Sequence, residues 1–197
     1  MMRRGTVIVT GLIGSGKSAV CAQFAAQGIP VYHCDERTKT LYNRRPELVS
    51  CLEGALGKSL RGSDGRLDRG ALASVIFSSP EAREKVEAIV YPSVLQDFKR
   101  WRARQKGSPF VVMESAVVLS KPVFDGLAFA VVLVTAPRAL RLARVKERDG
   151  LPEAAVRARM AAQPEIPASA ATFTIENDGS PANLEKAVKR IIKALQI

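Results

Sequence analysis

Short apolar segments rich in β-branched residues alternate along this chain with longer segments of helical composition. Each apolar segment ends at glycine, proline or a polar residue, which is typical of a buried strand. The pattern predicts five strands, at about residues 6–11, 29–32, 109–115, 129–137 and 172–178. Because strands that alternate with helices form parallel sheets, we predict an α/β fold in which helices cover both faces of a five-stranded parallel sheet.

Residues 36–107 contain no segment with the pattern of a core strand. Pro46, Pro80 and Pro92 are expected in first helical turns, where the missing N–H costs nothing. The stretch is therefore predicted to be a helical insertion or subdomain. Its helices are expected at about residues 47–56, 69–77, 81–90 and 93–105, and others at 17–26, 138–149, within 149–163 and from 181 onwards.

Residues 11–18, GLIGSGKS, fit the phosphate-binding pattern G-x-x-x-x-G-K-[ST] and lie between a predicted strand and a predicted helix. Gly14 and Gly16 allow turns that strain other residues, so that N–H groups can surround phosphate oxygens. In this pattern Lys17 meets the β- and γ-phosphates, and the Ser18 hydroxyl is a ligand of Mg²⁺. The correct flanking elements argue against the alternative, a chance glycine-rich turn.

A phosphate-binding loop alone does not separate kinases from GTPases and ATP-driven motors. The GTPase base-recognition pattern N-K-x-D does not occur in the sequence, and 197 residues are few for a motor. The length and the helical insertion favour a kinase of a small molecule, in which such an insertion holds the phosphoryl acceptor.

The formal net charge is +11 and is spread along the chain. Such a charge suits a polyanion, so a nucleotide-switched or nucleic-acid-binding protein is one alternative. The basic residues are not interleaved with aromatic ones as in single-strand binders, and a polyphosphate substrate or a solvated basic surface also accounts for the charge. We therefore expect no nucleic-acid partner.

Cysteine usage and hydropathy bear on the compartment. The three cysteines form no CxxC pair, which is typical of a reducing environment. The longest apolar runs are far too short to span a membrane, and no targeting segment is recognised. We expect a cytoplasmic protein without a membrane partner, whereas the oligomeric state is not indicated.

Two carboxylates follow predicted strands. The segment GIPVYHCDE places Asp35 just beyond the second strand, at the sheet edge where ligands gather. Asp35 can accept the proton of an attacking hydroxyl, orient that hydroxyl or hold Mg²⁺ through water, unless it only caps a helix that begins at Glu36. Glu114, at the end of the third strand, is a candidate carboxylate near Mg²⁺. The lone histidine, His33, is expected to be structural.

Arg141, Arg144 and Arg148 recur at spacings of three and four residues and so share one face of a predicted helix. This face is either solvated or part of a lid whose arginines close over the triphosphate and stabilise charge during transfer. Guanidinium groups suit bidentate phosphate contacts better than ammonium groups do. Arg159 and Gln163, on the next predicted helix, are further lid candidates.

Beyond these patterns, nearly the whole chain resembles the dephospho-CoA kinase family, the last enzymes of coenzyme A biosynthesis. The likeness covers TGLIGSGKS, GIPVYHCDE, YPSV, VVLVTAP, RVKERDG, RMAAQ and IENDG. Its most specific part is DGRLDRGALASVIF, which resembles a D-G-x-L-x-R-x-x-L-x-x-x-x-F element that other P-loop kinases lack. The resemblance implies transfer of the ATP γ-phosphate to the ribose 3′-hydroxyl of dephospho-CoA. A kinase of another small acceptor, such as a nucleoside monophosphate, is the alternative.

The resemblance also implies a three-layer P-loop kinase fold and roles for individual residues. Asp35, Lys17 and Arg144 are the expected catalytic residues, with Arg144 near the transferred phosphate. Asp68 and Arg69 join Asp35 at the acceptor, unless Asp68 only caps a helix. The single domain is expected to have a core at about 1–35, 108–143 and 166–197, an acceptor-binding insert at 36–107 and a small lid at 144–165. ATP contacts are expected from Gly14, Ser15, Gly16, Lys17, Ser18, Ala19, Arg144, Arg148 and Asn177, and Mg²⁺ ligation from Ser18.

Asn177 has two readings, a turn residue of the Asn-Asp-Gly sequence or, by resemblance, a neighbour of the adenine. Other positions depart from the family pattern. Tyr91 replaces a common histidine and His33 a frequent second aspartate, while Ala116 and Ser120 replace the proline and acid of a P-L-L-x-E pattern.

Overall fold

The computed structural model describes residues 5–163 and 166–195. The chain divides into two compact units, which are described separately below. The first comprises Met1–His33 and Gln105–Ile197, and the second comprises Cys34–Arg104.

A parallel sheet forms the centre of the first unit. Its strands are β1 (Gly5–Thr10), β2 (Val31–His33), β3 (Phe110–Glu114), β4 (Ala130–Thr135) and β5 (Phe173–Glu176). They pair in the order β2-β3-β1-β4-β5, and every pair of neighbours is parallel. The predicted five-stranded parallel sheet flanked by helices is confirmed.

The helices account for most of the remaining chain. In chain order they are α1 (Lys17–Ala26), α2 (Cys34–Arg44), α3 (Pro46–Leu56), α4 (Arg69–Ser78), α5 (Pro80–Arg104), α6 (Arg138–Asp149), α7 (Glu153–Ala161) and α8 (Pro181–Leu195). Short 3-10 turns lie at Val118–Ser120, Pro122–Phe124 and Ala168–Ala170. Within the described residues, none of these helices has the length and apolar character needed to cross a membrane.

Both faces of the central strands are buried, which explains why β1, β3 and β4 have continuous apolar sequences. On one face, side chains of α1 and α8 pack against alternate strand residues, and Phe24 meets Phe110 edge to face with ring centroids 6.3 Å apart. Removing the Phe24 ring would leave a cavity between α1 and the start of β3.

The second unit is an assembly of helices in which α5 packs against α2, α3 and α4. A fork of hydrogen bonds of 2.8–3.1 Å joins the Arg37 guanidinium on α2 to the Asp97 carboxylate on α5. This bidentate pairing fixes the orientation of α2 against α5 more strictly than a single ion pair would.

Two sequence-based predictions about these helices are wrong. Residues 80–104 form one helix rather than two, and Pro92 lies inside it rather than in a first turn. Proline removes one helical hydrogen bond, but Val90 and Val94 continue the buried side of the helix across it, and this packing offsets the loss. Helix α2 begins at Cys34, so Asp35 lies in its first turn and is not the cap of a helix that begins at Glu36.

Asp68 caps α4, as the capping alternative predicted. Its Oδ1 accepts hydrogen bonds from the N–H groups of Gly70 at 2.8 Å and Ala71 at 3.0 Å. These N–H groups have no partner within the helix, so the carboxylate stabilises the first turn.

Replacing Asp68 tests this cap. We expect Asp68→Ala to lower the free energy of unfolding by about 1 kcal/mol, because two N–H groups lose their acceptor, whereas Asp68→Ser keeps a capping oxygen and most of the stability. Urea unfolding followed by circular dichroism measures both variants. Glu84→Ala, which removes another exposed carboxylate, is the control for charge. Equal stability of Asp68→Ala and Asp68→Ser would contradict the cap.

Candidate active site

The phosphate-binding loop connects the carboxyl end of β1 to the first residue of α1. Gly14 and Gly16 have φ angles of 77° and 92°, in the left-handed region that favours glycine. A Cβ atom on Gly14 would lie 2.5 Å from the carbonyl oxygen of Arg141, and one on Gly16 would lie 1.9 Å from Nδ2 of Asn177. Both glycines are therefore needed for conformation and for close packing.

Asn177 follows the last strand and supports the loop. It is 8% exposed, and its Nδ2 donates a hydrogen bond of 2.9 Å to the carbonyl oxygen of Ser15. Its own N–H donates to the carbonyl oxygen of Thr135 at 2.7 Å. The side chain thus joins the end of the sheet to the loop. Neither of the two interpretations from sequence, a turn residue or a neighbour of the adenine, predicted this hydrogen bond.

Arg144 lies on α6 with its guanidinium beside the loop. Nη2 donates to the carbonyl oxygen of Asn177 at 3.0 Å, and Nη1 donates to that of Gly14 at 3.5 Å. The structure therefore brings a cation to the same place as the loop and the end of β5. Its partners here are two carbonyl oxygens, which phosphate oxygens could replace as stronger, charge-assisted acceptors.

An apolar cluster on α6 and α7 contacts the loop, and Gln163, just beyond the end of α7, forms a hydrogen bond with it. Val145, Val156 and Met160 are buried together, and Ile13 of the loop packs against them. The N–H of Ile13 donates to Oε1 of Gln163 at 2.6 Å. Gln163 was only a further lid candidate from its place in RMAAQ, and this contact was not predicted, because sequence spacing does not reveal a bond across 150 residues.

Arg148 has a different partner from Arg144. Its guanidinium donates to both carboxylate oxygens of Asp149, at 2.7 and 3.1 Å, and Arg159 donates to the same carboxylate at 3.3 Å. The hydrogen bond from Arg148 holds the pKa of Asp149 below its ordinary value. These contacts do not bring Arg148 to the loop, so its role in ATP binding stays a prediction.

Lys17 Nζ lies over the loop and donates to the carbonyl oxygens of Gly11 at 2.9 Å and Leu12 at 3.4 Å. The ammonium is thus held where the sequence pattern expects the phosphates to bind. These two acceptors are neutral, and phosphate oxygens would be stronger partners than either.

Ser18, Glu114 and His33 form a connected group. Ser18 Oγ donates to Glu114 Oε1 at 3.1 Å, and His33 Nδ1 forms a short contact with Glu114 Oε2. The Glu114 side chain is only 14% exposed. Burial is the main reason that the pKa of the neighbouring Cys21 thiol is raised, the charge of Glu114 raises it further, and Lys17 lowers it.

This group has the donor chemistry that Mg²⁺ prefers, a hydroxyl and a carboxylate oxygen. Among the residues with described positions, no group of three or more histidine, cysteine, aspartate or glutamate side chains could hold a metal by itself. A site that takes part of its ligands from the substrate and water, as Mg²⁺ sites at nucleotides do, fits this arrangement.

A pocket of about 230 Å³ lies beside the loop, with Leu12, Ser15, Thr135 and Arg141 in its lining. Ser15 Oγ is buried and has no hydrogen-bond partner within the described part of the chain. Burial, followed by the charge of Arg138, lowers the pKa of Arg141. The pocket therefore offers a cation and an unused hydroxyl next to the phosphate-binding backbone.

The other predicted site residues belong to the second unit. Asp35 is exposed in the first turn of α2, and Arg69 is the exposed first residue of α4, directly after Asp68. Burial raises the pKa of Tyr91, and the charges of Glu87, which accepts its hydroxyl at 3.2 Å, and of Asp35 raise it further. Tyr91 thus lies close enough to Asp35 for the carboxylate charge to raise the pKa of the Tyr91 hydroxyl.

Comparison with known proteins identifies the family of this chain. The family model for dephospho-CoA kinase matches residues 6–183. The chain belongs to the dephospho-CoA kinase family.

Individual relatives support this membership. A dephospho-CoA kinase from Porphyromonas gingivalis is 37% identical over 97% of this chain and 94% of its own length. The crystal structure of TT1252 from Thermus thermophilus superposes with a TM-score of 0.82 at 34% identity, and covers 98% of this chain and 99% of that one. Dephospho-CoA kinase from Campylobacter jejuni, at 24% identity and a TM-score of 0.60 over 98% of this chain and 97% of that one, shares the fold.

The hydrogen bond from Asn177 to the loop makes a direct prediction. Asn177→Ala should lower the free energy of unfolding by about 1–3 kcal/mol, because the Ser15 carbonyl oxygen stays buried without its donor. It should also weaken ADP binding, since the loop loses its support. Asn183→Ala, at an exposed asparagine, is the matched control. Calorimetric unfolding and ADP titration measure both effects, and an Asn177 variant that behaves like the Asn183 variant would contradict the role.

Proposed function

We propose that this enzyme phosphorylates the ribose 3′-hydroxyl of dephospho-CoA with ATP and releases CoA and ADP, the last step of coenzyme A biosynthesis. The family match over residues 6–183 carries the proposal, because it includes both the phosphate-binding loop and the 64–77 element. The family's kinase activity implies ATP as the nucleotide substrate.

The loop and its neighbours are proposed to bind ATP. The residues concerned are Gly14, Ser15, Gly16, Lys17, Ser18, Ala19, Arg144, Arg148 and Asn177. Lys17 and Arg144 would exchange carbonyl acceptors for phosphate oxygens and stabilise the negative charge there. Ser18, with Glu114 beside it, would hold Mg²⁺, which supplies further positive charge at the β- and γ-phosphates.

Asp35 is proposed as the general base. As the acceptor's hydroxyl oxygen forms its bond to the γ-phosphorus, the bond from that phosphorus to the β–γ bridging oxygen breaks, and the hydroxyl proton passes to the Asp35 carboxylate. The support for this role is the family resemblance and the position of Asp35 in the chain, two residues beyond the last residue of β2.

The helices of residues 36–107 are proposed to hold dephospho-CoA, and residues 144–165 to act as a lid. Asp68 uses Oδ1 for both capping bonds, so Oδ2 is the oxygen proposed for an acceptor contact, beside Arg69. The free cysteines Cys21, Cys34 and Cys51 support the proposal of a cytoplasmic enzyme.

The choice of acceptor is the first test. ADP release is measured with ATP and Mg²⁺ alone, and then with dephospho-CoA, AMP, CMP or shikimate, and the product is identified by mass spectrometry. We expect release that depends on dephospho-CoA, with CoA as the product. Release with AMP or CMP instead would favour a nucleoside monophosphate kinase. Tight, salt-dependent RNA binding without any acceptor-dependent release would favour a nucleic-acid-binding protein.

Replacing Asp35 tests the proposed base. Asp35→Asn should lower kcat by about 10²–10⁴-fold, because the hydroxyl loses its proton acceptor. The Kd for ATP should change little, since the amide keeps the size of the carboxylate. Glu36→Gln, the adjacent exposed carboxylate in the same helical turn, is the control and should retain kcat. Near-normal turnover of Asp35→Asn would remove the base assignment.

A further inference from the structure

His33 and Glu114 are direct partners across two parallel strands. They are the last residues of β2 and β3, and they lie opposite each other in the register of the sheet. The short contact joins His33 Nδ1 to Glu114 Oε2. An ionised carboxylate can only accept hydrogen bonds, so Nδ1 is the donor in this contact.

The second oxygen of the same carboxylate has its own donor. Ser18, in the first turn of α1, donates its hydroxyl proton to Glu114 Oε1 at 3.1 Å. Two donors from two different elements therefore hold the two oxygens of Glu114. A carboxylate held at both oxygens cannot rotate about its last torsion without breaking a hydrogen bond. His33 therefore fixes the orientation in which the Glu114 carboxylate accepts the hydrogen bond from Ser18.

The orientation of the Ser18 hydroxyl matters for a cation. A serine hydroxyl has one proton and two lone pairs. While the proton points to Glu114, the lone pairs stay available to a metal ion. If Glu114 turned away, the proton could point toward the cation and oppose its binding.

Glu114 is less exposed than the two residues that donate to it. The Glu114 side chain is 14% exposed and that of His33 is 38% exposed. On the side of α1, the neighbouring Cys21 is buried. Ser18 is exposed, so water can replace the histidine as a donor to Glu114, but a mobile water does not hold the carboxylate in one orientation as the fixed Nδ1 does.

We propose that His33 is a positioning residue that acts through Glu114 on Ser18 and thereby strengthens the binding of the Mg²⁺–nucleotide complex. This inference rests on the Mg²⁺ role proposed for Ser18. The competing explanation is purely structural, namely that the His33–Glu114 pair only fastens the three-residue edge strand β2 to β3.

The experiment measures the contribution of the metal to nucleotide affinity without turnover. Isothermal titration calorimetry gives the Kd for ADP in EDTA and in Mg²⁺. The ratio used here is the Kd in EDTA divided by the Kd in Mg²⁺, and it reports how much the metal strengthens ADP binding. We expect His33→Ala to reduce this ratio by about tenfold, in the range found when residues behind metal ligands are removed. His33→Asn should restore most of the ratio, because its amide N–H lies near the position of Nδ1. His33→Gln, whose amide corresponds to Nε2, is the polar control and should not.

Two further variants separate positioning from fastening. Val31→Ala loosens β2 at another cross-strand pair, with Val112, and should lower the melting temperature while leaving the ratio unchanged. In a Glu114→Ala background, His33→Ala should cause no further loss, since its route to Ser18 is gone. A ratio that falls as much in Val31→Ala, or a His33→Ala effect that persists without Glu114, would overturn the inference.

Ser18→Ala distinguishes failure of this inference from failure of the proposed function. If Ser18→Ala leaves the ratio at its original value, the Mg²⁺ role itself is wrong. If Ser18→Ala and Glu114→Ala reduce the ratio but His33→Ala does not, the Mg²⁺ role stands and only the positioning role of His33 is wrong.

Discussion

Parallel pairing of β1 with both β3 and β4 is the constraint on which the rest of the site depends. The register places Glu114 beside Val9 and Leu133 beside Thr10, so three strands end close to where the phosphate-binding loop begins. Because parallel strands share one carboxyl edge, side chains far apart in the chain meet there. Lysine, serine and glutamate reach one place only because these strands keep their order and register.

Direct contacts join the phosphate-binding loop to α6, to α7 and to Asn177, the residue after β5. Ile13 is held by the side chain of Gln163 and by apolar packing, and Ser15 is held by Asn177. Arg144 on α6 donates hydrogen bonds to the carbonyl oxygens of both Gly14 and Asn177. Any movement of α6 and α7 must therefore change the contacts of the phosphate-binding backbone itself, and not merely the access of solvent to it.

Sequence was sufficient wherever a local pattern and a physical requirement coincide. The apolar β-branched runs identified all five strands, and GLIGSGKS identified the loop, since its glycines are required by conformation. Capping by Asp68 was one of the two roles that the sequence offered, because aspartate is a preferred residue just before the first turn of a helix. In contrast, the prediction of a helix boundary at Pro92 was wrong, because packing along one side of α5 outweighs the local effect of proline. Sequence could not show the bonds to Glu114 and Gln163, which depend on tertiary distances.

The bond between Asn177 and Ser15 also bears on the order in which the protein is completed during synthesis. The two residues are 162 positions apart. At about 5–20 residues per second, on the order of 10–30 s separate their appearance on the ribosome. Throughout that interval the nascent loop lacks the amide that fixes its backbone. The loop therefore reaches its final packing only after the residue that follows β5 has been synthesised.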